Sequence, residues 1–137
     1  MYKTFGIIGN PVEHSLSPVL HNYWLEKYNI DAKYSIIKIE ENGLPGIVKR
    51  IKEGSLSGIN VTLPYKQKII SYIDQVINDA KLTGSVNTLL LKKDIVVGEN
   101  TDVFGLQAAY LKKIGDYINK KALIIGAGGV SPSVILS

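Results

Sequence analysis

Short apolar runs of β type alternate along the chain with segments of helical pattern, and that alternation restricts the fold more than any single residue does. "KTFGIIG", "AKYSIIKI", "LSGINVTL" and "KALIIGAGG" read as strands. "SPVLHNYWLEKYNI", "LPGIVKRIKEG", "YKQKIISYID", "QVINDAKLTG" and "DVFGLQAAYLKKIG" read as helical segments between them. A strand that returns to one sheet after a helix runs parallel to its predecessor, through a right-handed crossover. The expected fold is therefore α/β, a three-layer arrangement in which a mostly parallel sheet carries helices on both faces. "SVNTLLLKKDIVVGEN" reads as a hairpin turning near Lys93-Asp94, which makes that sheet mixed.

Local signals set the element ends. Ser17 is read as an N-cap and Pro18 as the first helical position. Val19, Leu20, Tyr23 and Trp24 recur at helical spacing and are expected to face the core. Gly54, Gly84 and Gly115 each follow a helical segment and stop it. The expected organisation is a domain over 1–102, a connecting helix over 103–119, and over 120–137 a first strand, glycine turn and helix start of a second unit. A strand, a turn and half a helix cannot bury their own apolar faces, so the expectation is a fragment whose second unit is truncated.

With 137 residues, 45% of them hydrophobic, the chain can build one core of ordinary size. Its net charge of +4 comes from dispersed lysines with Arg50 as the only arginine, which reads as solvated surface rather than a nucleic-acid face. The lack of cysteine removes disulfides and thiolate metal sites, and His14 and His21 are too few for a histidine-rich metal site, so no metal is expected. The N-terminal apolar run is too short for a secretory signal, and no run approaches a bilayer span. The expected location is the cytoplasm, with no membrane partner.

Ligands of parallel α/β sheets bind beyond the carboxyl ends of the strands, and polar clusters fall at those ends. In "HSLSP", Ser15 and Ser17 lie two apart, so in an extended segment they can offer paired hydroxyls to one carboxylate, beside a helix N-terminus with free N–H groups. A plain cap at Ser17 is the competing reading. In "NVTLPYK", Asn60, Thr62 and Lys66 bring an amide, a hydroxyl and an ammonium to one strand end, although most lysines are surface residues. In "GSVNT", Asn87 and Thr88 need partners if they are buried. In "GENTD", Asn100, Thr101 and Asp102 precede a helix and can simply cap it. Together these clusters suit a polyhydroxylated acid. Finally, Gly126, Ala127, Gly128 and Gly129 lie between a strand and a helix, the context of a dinucleotide-binding turn, although Ser131 stands where a strict glycine pattern has its third glycine.

Five stretches, "GNPVEHSLSPVLHN", "GINVTLPYK", "GSVNTLL", "GENTDVFGL" and "IIGAGGVS", come in an order and spacing that resembles the shikimate dehydrogenase family across nearly the whole chain. The resemblance implies a substrate domain followed by the start of an NADP-binding Rossmann domain. It implies reversible NADPH-dependent reduction of 3-dehydroshikimate to shikimate, a step of aromatic amino-acid biosynthesis. It further implies that Ser15 and Ser17 bind the substrate carboxylate, that Thr62, Asn87 and Asp102 hold its hydroxyls, and that Lys66 and Asp102 are the catalytic pair. Gly126, Ala127, Gly128 and Gly129 would begin the NADP site, and the full-length form would be a monomer or homodimer. Pro132 departs from the family pattern by removing an N–H donor near the phosphates. The alternatives are a quinate/shikimate dehydrogenase using NAD, and a non-catalytic small-acid binding module.

Overall fold

The computed structural model describes residues 2–115 and 120–137. A six-stranded sheet has the order β2-β1-β3-β5-β6-β4. Strands β1 (Lys3–Ile8), β2 (Ala32–Ile36) and β3 (Gly58–Val61) form its parallel half, with β1 in the middle. Strands β5 (Thr88–Lys92) and β6 (Ile95–Glu99) form the expected hairpin, antiparallel to β3 through β5, and β4 (Gln75–Val76) closes the sheet parallel to β6. The hairpin turns through Lys93 and Asp94, both at positive φ (50° and 67°), as a two-residue primed turn requires.

Helix α1 (Ser17–Lys27) follows β1, and α2 (Leu44–Lys52) follows β2. Helix α3 (Tyr65–Lys68) runs into a 3-10 turn, and α4 (Asp79–Thr83) follows β4. After β6, α5 (Asp102–Leu106), a π-turn (Gln107–Leu111) and α6 (Lys112–Ile114) run on from one another, and α7 is Ser131–Leu136. The segment "QVINDAKLTG", read as helical, is helical only from Asp79; Gln75 and Val76 are a strand because β6 offers them a parallel ladder. The last part of the expected connecting helix, 116–119, lies outside the described residues.

Neighbouring residues of β1 separate the two layers. Ile8 joins Ile59, Val61, Leu89 and Val96 under the α2 residues Leu44, Ile47, Val48 and Ile51. Ile7 points the other way, to Val12 and Tyr34, with Phe5, Leu25 and Ile36 around them. This is the period-2 alternation of a strand buried on both faces.

Two expectations fail here. Helix α1 has no buried residue, and Val19, Leu20, Tyr23 and Trp24 are exposed rather than in the core. The helix instead turns Asn22 and Leu25 towards the sheet, and His21, itself exposed, stacks on Tyr34. Asn22 donates to the Tyr34 carbonyl (2.8 Å) and accepts from the Tyr34 N–H (2.9 Å), meeting the backbone groups of β2 at the sheet edge. The second concerns the strand expected to run into the glycine turn in "KALIIGAGG", which does not form: residues 121–127 have no regular structure, and Leu123 and Ile125 are 86% and 92% exposed. A strand needs a neighbour for its ladder, and among the described residues none pairs with this segment. Helix α7 does form, against α4 and α5. Among the described residues no helix is long and apolar enough to cross a membrane.

Candidate functional site

The loops after β1 and β3 meet at the carboxyl end of the parallel strands. Gly9 permits the approach, since a Cβ there would lie 2.5 Å from Thr62 Cγ2 and 2.9 Å from the Leu63 carbonyl oxygen. Beyond this junction α3 starts, and its second residue is Lys66. Asp102 opens α5 after β6. Lys66 Nζ donates to Asp102 Oδ2 at 2.7 Å, with the two side chains 16% and 27% exposed. This is a short charge-assisted bond that keeps access to solvent.

Asn87 holds the other carboxylate oxygen. Its Nδ2 donates to Asp102 Oδ1 (2.8 Å) and Thr101 Oγ1 (3.0 Å), and its Oδ1 accepts from the Thr101 N–H (3.0 Å). Thr88 Oγ1 donates to Asn87 Oδ1 at 3.0 Å. Asn60 completes the floor: its Nδ2 donates to Thr88 Oγ1 (3.2 Å) and the Asn87 carbonyl (3.3 Å), and its Oδ1 accepts from Tyr34 Oη at 2.7 Å. The buried polar groups therefore have partners in one another, which fixes rotamers before any ligand arrives.

Ser17, Thr62, Lys66, Asn87 and Asp102, all singled out from sequence, line one cavity of about 220 Å³ together with His21 and Asn60. Ser15 lines the adjoining hollow of about 370 Å³, which shares Ile7, Ser17 and Thr62 with the first. The capping expectation is corrected. Leu16, not Ser17, occupies the N-cap position, and Ser15 Oγ accepts from the Ser17 N–H at 3.3 Å. Pro18 has no N–H, so the start of α1 offers fewer free donors than its sequence suggested. The Ser17 hydroxyl is not committed to capping the helix.

His21 lines the cavity and Tyr34 backs it through its bond to Asn60, and sequence reading gave neither a site role. Their rings stack at 4.2 Å and 10°. Burial pushes the Tyr34 phenol up to about 12, against the smaller downward pull of a hydrogen bond with Ser17. Partial burial lowers the His21 pKa below that of an ordinary histidine. The only sequence signal for Tyr34 was an aromatic residue in a strand, which reads as plain core. An apolar hollow of about 370 Å³ between α1 and the sheet, lined by Tyr34 and Leu25, shares His21 and Asn60 with the cavity but is lined by neither Lys66 nor Asp102.

The glycine turn faces the site from the other side. A hollow of about 290 Å³ lies between Thr62, Leu63, Pro64, Lys66 and Gln67 and the residues Gly129 and Val130. Gly126 is at φ +113°, which side-chain-bearing residues rarely adopt, and Ser131 Oγ donates to its carbonyl at 3.1 Å. A Cβ at Gly128 or Gly129 would meet nothing within 4 Å, so no protein packing calls for glycine there. Bare backbone facing open space before a helix fits a phosphate cradle. Gly126, Ala127 and Gly128 do not line the hollow; Gly129 does.

Residues 7–89 match the family model of the shikimate dehydrogenase substrate binding domain. The chain is 41% identical over 137 residues to the shikimate dehydrogenase (NADP(+)) of Pelagibacter ubique, covering 100% of this chain and 52% of that enzyme. It is 41% identical over 135 residues to the shikimate dehydrogenase (NADP(+)) of Bacillus subtilis, covering 98% of this chain and 48% of that enzyme. It is also similar in structure to the Thermus thermophilus shikimate 5-dehydrogenase solved in complex with NADP(H) and shikimate. That likeness has 35% identity and a TM-score of 0.88, over 98% of this chain and 51% of the other. The chain spans about half the length of the curated relatives it matches.

Proposed function

Because the chain belongs to the shikimate dehydrogenase family through its substrate-binding domain, we propose that its cleft binds shikimate and 3-dehydroshikimate and forms the catalytic half of an NADP-dependent shikimate dehydrogenase. The observation that carries this reading is the Lys66–Asp102 bond of 2.7 Å, braced by Asn87, at a cavity wall that also presents Ser17 and Thr62.

In this reading Ser15 and Ser17 take the substrate carboxylate at one end of the groove. Thr62, Asn87 and Asp102 hold the ring hydroxyls. That puts the reacting C3 oxygen beside Lys66 Nζ. Gly126, Ala127, Gly128 and Gly129 would begin the stretch that holds NADPH, which when bound would supply the hydride. As negative charge grows on the C3 oxygen, the Lys66 ammonium stabilises it and donates a proton; in the reverse direction Lys66 accepts the proton. Asp102 keeps Nζ aimed, and Asn87 keeps Asp102 from turning. We assign 1–102 to the substrate domain, 103–119 to the connector and 120–137 to the beginning of the cofactor domain.

Two measurements test this. Titration calorimetry of the chain with shikimate should show saturable binding. Shikimate-dependent NADP+ reduction, assayed with the chain joined to the cofactor-binding half of a relative, should lose at least about 100-fold in kcat in Lys66→Met, the low end for a proton-transfer group. Ser15→Ala should mainly raise KM. A Lys66→Met variant that keeps near-normal kcat sinks the assignment.

A further inference from the structure

Five polar side chains are buried among the described residues, and four of them, Thr83, Ser85, Asn100 and Ser133, meet in one cluster outside the cleft. A buried polar cluster costs desolvation, and its bonds must offset that. Asn100 is its centre. The Nδ2 group donates towards Ser85 O (2.9 Å), Ser133 Oγ (3.0 Å) and Thr83 Oγ1 (3.2 Å). Its Oδ1 accepts from the Asp102 backbone N–H at 2.9 Å. One side chain therefore grips the main chain of Asp102 at one end and the first turn of α7 at the other. Ser85 adds a parallel link, its Oγ donating to the Gly129 carbonyl at 3.2 Å. Asp102 in turn holds Lys66, and the Lys66 carbonyl accepts from the Val86 N–H at 2.8 Å, one residue from Ser85.

We propose that Asn100 is a positioning residue for Asp102, and that its bond to Ser133 couples the geometry of the Lys66–Asp102 pair to the seating of the glycine turn and α7. This deepens the functional reading above and rests on it for the meaning of the pair. Seating α7 adds Ser133 Oγ to the acceptors around Asn100 Nδ2, which sets the plane of that amide and, through Oδ1, the Asp102 N–H and hence the carboxylate that Lys66 and Asn87 share. Release of α7 leaves Ser85 O and Thr83 Oγ1 as the acceptors of the two Nδ2 hydrogens, so the Asn100 amide re-orients towards them and Asp102 shifts with the Asn100 Oδ1. The cofactor segment and the proton-donating pair are then organised together rather than independently.

Ser133→Ala is the informative variant, because the Ser133 hydrogen bonds go to Asn100, Ser137 and Val130 and not to Asp102 or a cleft residue. In NMR spectra of this chain it should move the Asp102 backbone amide and the Asn87 side-chain amide resonances. It should also weaken shikimate binding roughly three- to tenfold, the worth of one hydrogen bond. Asn100→Ala should change both readouts in the same sense and by more. Should Asn100→Ala fail to fold, Ser133→Ala decides alone, since it deletes a single hydroxyl. The proposal is overturned if Ser133→Ala shifts α7 resonances while the Asp102 and Asn87 signals stay in place and shikimate affinity stays within about twofold. A wild-type chain that binds no shikimate at millimolar concentration removes the functional reading, and the two amide signals then support or overturn the coupling without it.

Discussion

Helix α2 turns Leu44, Ile47, Val48 and Ile51 into the sheet, none of them more than 5% exposed, whereas helix α1 on the opposite face buries no residue at all. Both helices carry apolar residues at helical spacing. What differs is how each is held. Helix α2 is held by its apolar stripe, which packs on Ile8, Ile59, Val61 and Leu89. Helix α1 presents a second stripe with the same period, His21, Asn22 and Leu25, and meets the sheet through two hydrogen bonds, a ring stack and one half-buried apolar side chain, Leu25. The more apolar stripe of α1 faces outward. Hydrophobicity decides the orientation of α2, while β2 backbone bonding and the cleft wall decide that of α1.

The largest consequence belongs to α2. Ile51→Ala should cost about 2–5 kcal/mol in urea unfolding, the range for a truncated core residue that leaves a cavity. Ile51 is fully buried in that cluster, so little relaxation is available to it. A loss below about 1 kcal/mol would mean that α2 is no better anchored than α1.

Next comes the polar anchor of α1. Asn22→Ala leaves the Tyr34 N–H and carbonyl without their side-chain partner, which should cost about 1–3 kcal/mol. The same variant should weaken shikimate binding in calorimetry. Asn22 fixes Tyr34, Tyr34 Oη fixes Asn60, and His21 rides on the Tyr34 ring at the cavity wall. Loss of stability with unchanged affinity would separate α1 from the site and reduce Asn22 to a structural clip.

The two helices also mark how far sequence reasoning reached. The α/β alternation, the parallel half of the sheet and the Lys93-Asp94 turn follow from backbone rules that act over a few residues, and the structure has them. Of the site residues, Lys66, Asp102, Asn87, Thr62 and Ser17 meet because polar side chains at strand ends converge by topology. The inward face of α1 was hidden because two stripes of equal period overlap, and hydropathy favours the wrong one. Tyr34 and Asn100 were hidden because their roles depend on partners 26 and 33 positions away, Asn60 and Ser133. The strand expected before the glycine turn was read from a short apolar run, but a strand is a property of a pair, and no described strand lies beside it.

The outer stripe of α1 should show the smallest effect, and it is the direct counterpart of Ile51→Ala. Val19 and Leu20 are 72% and 55% exposed, so replacing both by lysine removes little buried area. Lysine is also a better helix former than valine and close to leucine. Lys27, the only basic residue in the last turn, lies over the rings of Tyr23 and Trp24 and is far enough along the helix to be screened from the new charges. The double variant should therefore stay within about 0.5 kcal/mol of the parent in urea unfolding, with shikimate affinity unchanged. A loss above about 1.5 kcal/mol would show that this stripe, not the side of Asn22 and Leu25, packs against the protein in solution, and the contrast with α2 would disappear.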